Sequence, residues 1–317
     1  MNLAEIVEQH PQDAVALVSR GRPTTYGELR RQTASLRGLL VECGVERGDR
    51  VAILCGNSRY FVIAYLAALG VGAVAVPLNV MSPSSEIQRE LDVVQPRVVF
   101  VEPAAMTAWR EVDTSNFTEL RSVIATEGHQ IDGAITLSEQ LMHAPVPILQ
   151  MGPHEVATLI FTSGTAGASK AAMLSHRNLL SNLEQLAELD QIHSTDVVYG
   201  VLPLFHIFGL NVVLGFTLFS GASVVLVQRF DPTTALETFA ERKVTVVPGA
   251  PQMWAMFAQM TGAETEVLSR IRVALTGASK MPEQVTKDLI VKFGLHVREG
   301  YGLTESAPVL TTSLTGN

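Results

Sequence analysis

The chain has 317 residues, of which 47% are hydrophobic and 17% charged, with a formal net charge of −8. That balance describes one or two domains around a large buried core and leaves no room for a long disordered tail. No run of Lys and Arg could track a nucleic-acid backbone, so nucleic acid is excluded as a partner, and any anionic ligand must be held by local donors against an acidic background.

From the N-terminus, MNLAEIVEQHPQDAV carries acidic residues and no apolar segment, unlike a secretory signal. The pattern 26–43 reads as the first helix, with Leu29, Leu36, Leu39, Leu40 and Cys43 on one face. Further helical patterns cover 59–69, 83–93, 176–189, 232–242, 252–260 and 282–293, several with stop signals such as Gly70 and Gly294 just past their ends. Between them lie β-branched runs at 51–54, 73–76, 97–101, 156–161, 197–202, 223–227, 244–247 and 271–276. Most are apolar throughout rather than alternating, as strands buried on both faces are. The reading is an α/β fold of two packed, largely parallel sheet lobes with flanking helices. The stretch 102–153 has the weakest periodicity and reads as a connection between lobes or an irregular edge.

Cys43 and Cys55 read as small buried hydrophobes of a reducing compartment, without metal-site spacing, and the expected location is cytoplasmic. The segment 197–228 contains no Asp, Glu, Lys or Arg and imitates a membrane span. Pro203, Gly209, Gly215 and Gly221 break it, and it carries His206 and Asn211, so it reads as strand, loop PLFH, buried helix IFGLNVVLGFTLF, turn and strand, with no transmembrane segment.

The stretch FTSGTAGASK, 161–170, follows a buried strand, and the next helix starts after Ser175 as its cap. A loop leaving the carboxyl end of an α/β strand is a usual ligand position. Gly164 and Gly167 let backbone N–H groups approach an anion, Thr162, Ser163, Thr165 and Ser169 offer hydroxyls, and Lys170 offers a mobile positive charge. A Walker A loop fails at two of its four defining positions, where Ser169 replaces a glycine and Ala171 the magnesium-binding hydroxyl. Alone, the stretch fits either a phosphate loop or a surface turn. LPLFHIFG, 202–209, sets His206 among aromatics, where it reads as a core residue or a functional one. REGYGLTE, 298–305, follows a strand at 295–297 and reads as a glycine turn or as a nucleotide site. Gly300 and Gly302 flank Tyr301, which could lie on a base, Thr304 could bond a phosphate and Glu305 could hold Mg²⁺.

In this order the clusters resemble the adenylate-forming superfamily, which includes acyl-CoA synthetases, aryl-CoA ligases, luciferases and the adenylation domains of peptide synthetases. The resemblance runs along essentially the whole chain, through TTYGELRRQTASL (24–36), GDRVAILCGNSRYF (48–61), LAALGVGAVAVPLN (66–79), FTSGTAGASKAAMLSHRN (161–178) and a complete YGLTE (301–305). It implies the large N-terminal domain of such an enzyme. The loop Thr162–Lys170 (with Ser163, Gly164, Thr165 and Gly167) would grip the β- and γ-phosphates of ATP. Gly277, Ala278 and Ser279 would lie along the adenine, with Tyr301 and Gly302 on its other side. Thr304 would touch the α-phosphate, Glu305 would coordinate Mg²⁺, and His206 would stand where the carboxylate enters. The implied reaction joins a fatty acid to AMP, then to the thiol of coenzyme A. The apolar residues around 202–219 and 246–260, with Met253, Trp254 and Met256, resemble a fatty-acid wall more than an acetate or amino-acid site.

Two departures qualify the resemblance. The family loop is close to T-S-G-T-T-G-x-P-K-G, whereas Ala166, Ser169 and Ala171 stand here for the second threonine, the proline and the last glycine. ATP binding is expected to be weakened, not abolished. Beyond Glu305 the family continues with a ribose-binding aspartate, a hinge and a mobile C-terminal domain that carries a catalytic lysine, so this chain is expected to stop short of the full machinery. A nucleotide- or acyl-binding module without turnover, a fatty acyl-AMP ligase and an aryl-CoA ligase stay open as alternatives.

Overall fold

The protein is described by a computed structural model, which covers residues 1–128, 130–137, 143–162 and 170–313. It divides into two compact units. The first comprises Met1–Ala14 and Thr25–Leu180, the second Val15–Thr24 and Ser181–Asn317. Each is built on its own sheet, as the apolar strand runs require.

In the first unit the strands lie in the order Ile135–Thr136, Ser122–Ala125, Val98–Val101, Arg50–Leu54, Val74–Pro77, Val156–Thr162 and Lys170–Ser175. All neighbours are parallel except the last pair, a hairpin in which Thr162 faces Lys170. The stretch 102–153 lies within this unit and supplies its edge strand Ile135–Thr136 and the neighbouring strand Ser122–Ala125. Helix Tyr26–Glu42 starts at a capping box, in which Thr25 Oγ1 accepts from the Glu28 N–H and Glu28 reaches back to the Thr25 N–H. Helix Arg59–Gly70 is buried along its whole length, because its apolar residues run all round it.

In the second unit the order is Val309–Thr312, Val297–Gly302, Val273–Thr276, Val246–Gly249, Val197–Gly200, Ser223–Leu226, Val15–Ser19 and Arg22–Thr25. Strands from Val15–Ser19 to Val297–Gly302 run parallel, and Val309–Thr312 returns antiparallel. The core centres on Trp254, Tyr199, Phe239 and Phe257, with Tyr199 and Phe239 in an edge-on contact at 4.9 Å. The uncharged segment 197–228 is strand, helix and strand inside this unit, and no described helix is long and apolar enough to cross a membrane.

The elements differ from expectation in three places that bear on the site. The sequence placed the whole of Thr162–Lys170 in a loop leading to a helix, but Lys170 opens a strand, Lys170–Ser175, before helix His176–Ala187. The strand expected at 295–297 occupies Val297–Gly302, so Gly300, Tyr301 and Gly302 are strand residues. The helix expected at 207–219 is a π-helix over Phe208–Gly215 that continues as an α-helix over Phe216–Phe219.

Candidate functional site

The two units contribute separate groups of the expected residues. In the first, Thr162 and Lys170 face each other at the open end of the hairpin, with Thr162 Oγ1 donating to the Lys170 carbonyl at 3.3 Å. Lys170 is exposed. The hairpin leads directly into helix His176–Ala187, where Ser175 Oγ accepts from the Asn178 N–H at 3.2 Å, the cap expected from the sequence. Ser163, Gly164, Thr165 and Gly167, with Ala166 and Ser169, lie outside the described residues.

In the second unit three segments meet at the carboxyl ends of parallel strands. Strand Val273–Thr276 delivers Gly277, Ala278 and Ser279. Gly277 is buried, and a methyl group there would lie 3.0 Å from the Phe208 ring and 3.3 Å from the Gly300 carbonyl. Glycine lets these three segments approach without crowding. Ala278 has φ 70°, a left-handed backbone that costs an L-residue about 1 kcal/mol or more. Ala278 and Ser279 are exposed. Strand Val297–Gly302 is the neighbour, with Thr276 opposite Glu299. It presents Tyr301, 61% exposed, two residues beyond the Thr276–Glu299 pairing. Thr304 and Glu305 follow in the short turn Thr304–Ser306, Thr304 partly buried and Glu305 exposed.

His206 leads into the π-helix through the turn in which its N–H bonds the Pro203 carbonyl. Its Nδ1 accepts from the Phe208 N–H at 3.3 Å, which places the proton of the neutral ring on Nε2. Although part of its surface reaches solvent, the surrounding apolar residues push its pKa below the ordinary value, so the ring is neutral at pH 7. It offers one N–H donor and no charge.

Two residues that sequence reasoning did not assign hold this assembly. Asn211 of the π-helix, 1% exposed, donates from Nδ2 to the Ala307 carbonyl at 2.8 Å. Asn182 of helix His176–Ala187 donates to the Val309 carbonyl at 2.9 Å and accepts from the Val309 N–H at 3.3 Å. Together they pin the segment that follows Glu305. A lone Asn inside an uncharged apolar stretch was the available signal for Asn211, since a buried amide requires a partner. Trp254, by contrast, is core: it is fully buried and its indole N–H bonds the Leu275 carbonyl at 3.1 Å. Met256 is exposed.

The described residues contain no cluster of three or more His, Cys, Asp or Glu suited to a metal ion. Glu305 is a single solvent-facing carboxylate. That fits Mg²⁺ only in the mode where one carboxylate shares the ion with substrate phosphates, and not as an all-protein cage.

The AMP-binding enzyme family model matches residues 3–317. The chain belongs to that family. Among curated family members, 4-coumarate–CoA ligase 1 of Oryza sativa subsp. japonica is 30% identical over 310 residues, covering 93% of this chain and 54% of that protein. An (octahydroindenyl)propanoyl:CoA ligase of Mycobacterium tuberculosis is 31% identical over 315 residues, covering 96% of this chain and 61% of that protein. The crystal structure of ATP-bound MatB from Rhodopseudomonas palustris superposes with a TM-score of 0.87 at 27% identity, covering 100% of this chain and 63% of that one. This family chain therefore spans somewhat more than half the length of the relatives it matches. Its α/β fold with two largely parallel sheets is that of the large domain of adenylate-forming enzymes.

Proposed function

We propose that this chain carries the nucleotide- and acid-binding part of an acid–CoA ligase, which activates a carboxylic acid as its acyl-adenylate at the expense of ATP. The observation that carries the reading is the meeting of the Gly277–Ser279 turn, the Gly300–Gly302 strand end and the Phe208 ring in one unit, with glycine where a Cβ would crowd the Phe208 ring and the Gly300 carbonyl. Family membership and the CoA-ligase relatives support the same reading.

In this reading adenine lies between the Gly277–Ser279 backbone and the exposed Tyr301 ring, beside Gly302. Thr304 donates to the α-phosphate. Thr162, Ser163, Gly164, Thr165, Gly167 and Lys170 hold the β- and γ-phosphates. An acid oxygen attacks the α-phosphorus, a P–O bond forms, and the bond to pyrophosphate breaks. Both reactants are anions, so neutralisation and alignment are the main catalytic tasks. Lys170 supplies positive charge at the leaving pyrophosphate, and neutral His206 offers its Nε2–H to the incoming carboxylate without adding charge. Mg²⁺, held by Glu305 with phosphate oxygens, would offset charge on the triphosphate. The thiol of coenzyme A then bonds to the acyl carbon, AMP leaves, and the thiol proton passes to solvent. The remaining length of the relatives is where a C-terminal domain would contribute, and the reaction is assigned to the cytoplasm.

For the acid we propose a fatty acid, on the strength of the apolar π-helix Phe208–Gly215 beside His206. An aryl acid is the second reading, favoured by the flat Phe208 ring against Gly277 and by the 4-coumarate ligases among the relatives. Acyl-hydroxamate formation from ATP, hydroxylamine and either dodecanoate or 4-coumarate tests both. Product from dodecanoate alone supports the first acid, and product from 4-coumarate alone the second. Silence from this chain and from a longer form of the same protein, with both acids, rejects the ligase reading.

A further inference from the structure

The first unit carries a cationic groove that the proposed chemistry does not use. Arg30, Arg31 and Arg37 of helix Tyr26–Glu42 line a cavity of about 430 Å³ together with Glu8, Ser35 and His143. Arg30 and Arg37 are two helical turns apart and so share a face, with Arg31 at its margin.

Each inner guanidinium is fixed from one side only. Arg30 Nη1 donates to the carbonyls of Val7 and His10 at 2.8 and 3.0 Å. Arg37 Nε donates to the Val146 carbonyl at 2.6 Å. Their remaining N–H groups, and all those of Arg31, make no hydrogen bond or ion pair among the described residues. The opposite wall is rigid as well. Ser35 Oγ donates to the His143 carbonyl at 3.1 Å and accepts from its N–H at 3.0 Å, while His143 Nδ1 lies 2.9 Å from Glu42 Oε2. Glu8 is the one carboxylate lining the groove, set against three guanidinium groups. In a chain of net charge −8 this is a local reversal of sign. Arg37 is only 5% exposed, so its charge is partly desolvated and an anion beside it is worth more than at an open surface.

We infer that this groove binds the phosphoryl dianion of a small phosphorylated molecule, at a site that shares no residue with the phosphate loop. Planar guanidinium forks match phosphate oxygens two at a time, and here two of them are held in place before any ligand arrives. The volume is that of an ordinary small-molecule site.

The test is calorimetric titration of the Lys170→Ala protein with inorganic pyrophosphate, so that the phosphate loop contributes little. One saturable site is expected, weakened about tenfold by Arg31→Ala and largely kept in Arg31→Lys. Arg31 is exposed, so the melting temperature of Arg31→Ala should be unchanged, which separates lost binding from lost folding. Absence of binding, or equal affinity in Arg31→Ala and Arg31→Glu, overturns the inference. So does sedimentation with phosphatidate vesicles by a protein that ignores free pyrophosphate, because the groove would then serve a lipid surface.

Discussion

At the residue scale, Lys170 tests the proposed phosphate loop against a plain surface turn. Lys170 is exposed at a hairpin end, where its backbone is fixed and its ammonium group forms no ion pair among the described residues. Lys170→Ala should weaken ATP binding at least tenfold, the worth of a charge-assisted contact, while AMP binding changes much less. Calorimetry with both nucleotides decides it, since equal losses would place Lys170 away from the β- and γ-phosphates. His176 makes a second residue-scale prediction. It is fully buried, its Nδ1 accepts from the Leu3 N–H at 3.0 Å, and burial lowers its pKa from 6.5 to about 4. The unfolded chain therefore takes up a proton between pH 6.5 and 4 that the folded chain refuses, so stability falls as pH drops through that window. The full effect is about 3 kcal/mol. Glu102 works in the opposite sense, because burial and the neighbouring Glu127 raise its carboxyl to about 7, and its contribution is lost as pH rises from 4.5 through 7. The two overlap, so the check is a difference. Chemical denaturation of wild type and His176→Gln at pH 4.5 and 7 should show the variant losing less stability on acidification.

At the element scale, the site depends on how the segment after Glu305 is held. The π-helix Phe208–Gly215 brings Asn211 to the Ala307 carbonyl, and Ala307 itself has a left-handed backbone with φ 68°. A residue in that conformation stays there only when its surroundings over-determine it. Asn211→Ala leaves a buried carbonyl unpaired, at a cost of about 1–3 kcal/mol. It should also release the Thr304–Ser306 turn, so ATP affinity should fall along with the melting temperature, whereas Asn211→Ala with unchanged ATP affinity would make the contact purely structural. These elements also show what a sequence can display. Buried parallel strands were legible because both faces are apolar, and the Ser175 cap because its chemistry is local. The strand Lys170–Ser175 was not, since KAAMLS is alanine-rich, has no β-branched residue and shows no alternation of apolar and polar positions. The turn type of the π-helix was equally hidden, because the period of the apolar residues cannot separate α from π where all positions but Asn211 are apolar or glycine. Ser122–Ala125, Ile135–Thr136 and Val309–Thr312 are strands of two to four residues at or next to a sheet edge, too short to show a period. Of the candidate site, motif residues could be read directly, while the partners of Asn182 and Asn211 could not, because they are backbone atoms 127 and 96 residues away.

At the scale of the whole molecule, the path of the chain constrains how it can be divided. The second unit takes its strands from two places, Val15–Thr24 and Ser181–Asn317. Leu17, Val18 and Ser19 pair in parallel with Val224, Val225 and Leu226, and Ala16 and Leu17 are fully buried. A cut near Leu180 therefore does not release a complete second unit. It leaves Ser223–Leu226 as an open edge of apolar residues, with its backbone N–H and C=O groups on that side unpaired, which is a template for aggregation. The missing strand also removes two fully buried apolar side chains, so the fragment loses core as well as edge. Residues 181–317 expressed alone should be poorly soluble or bind a hydrophobic dye strongly. The same fragment preceded by residues 13–25 through a flexible linker should regain a cooperative thermal transition, because loop closure costs little compared with the burial restored. Comparable solubility and melting of the two fragments would show that the strand Val15–Ser19 is dispensable. If only the linked fragment folds, it also isolates Gly277, Tyr301 and Glu305 from Lys170, and its affinity for AMP against ATP then measures what the proposed phosphate loop adds.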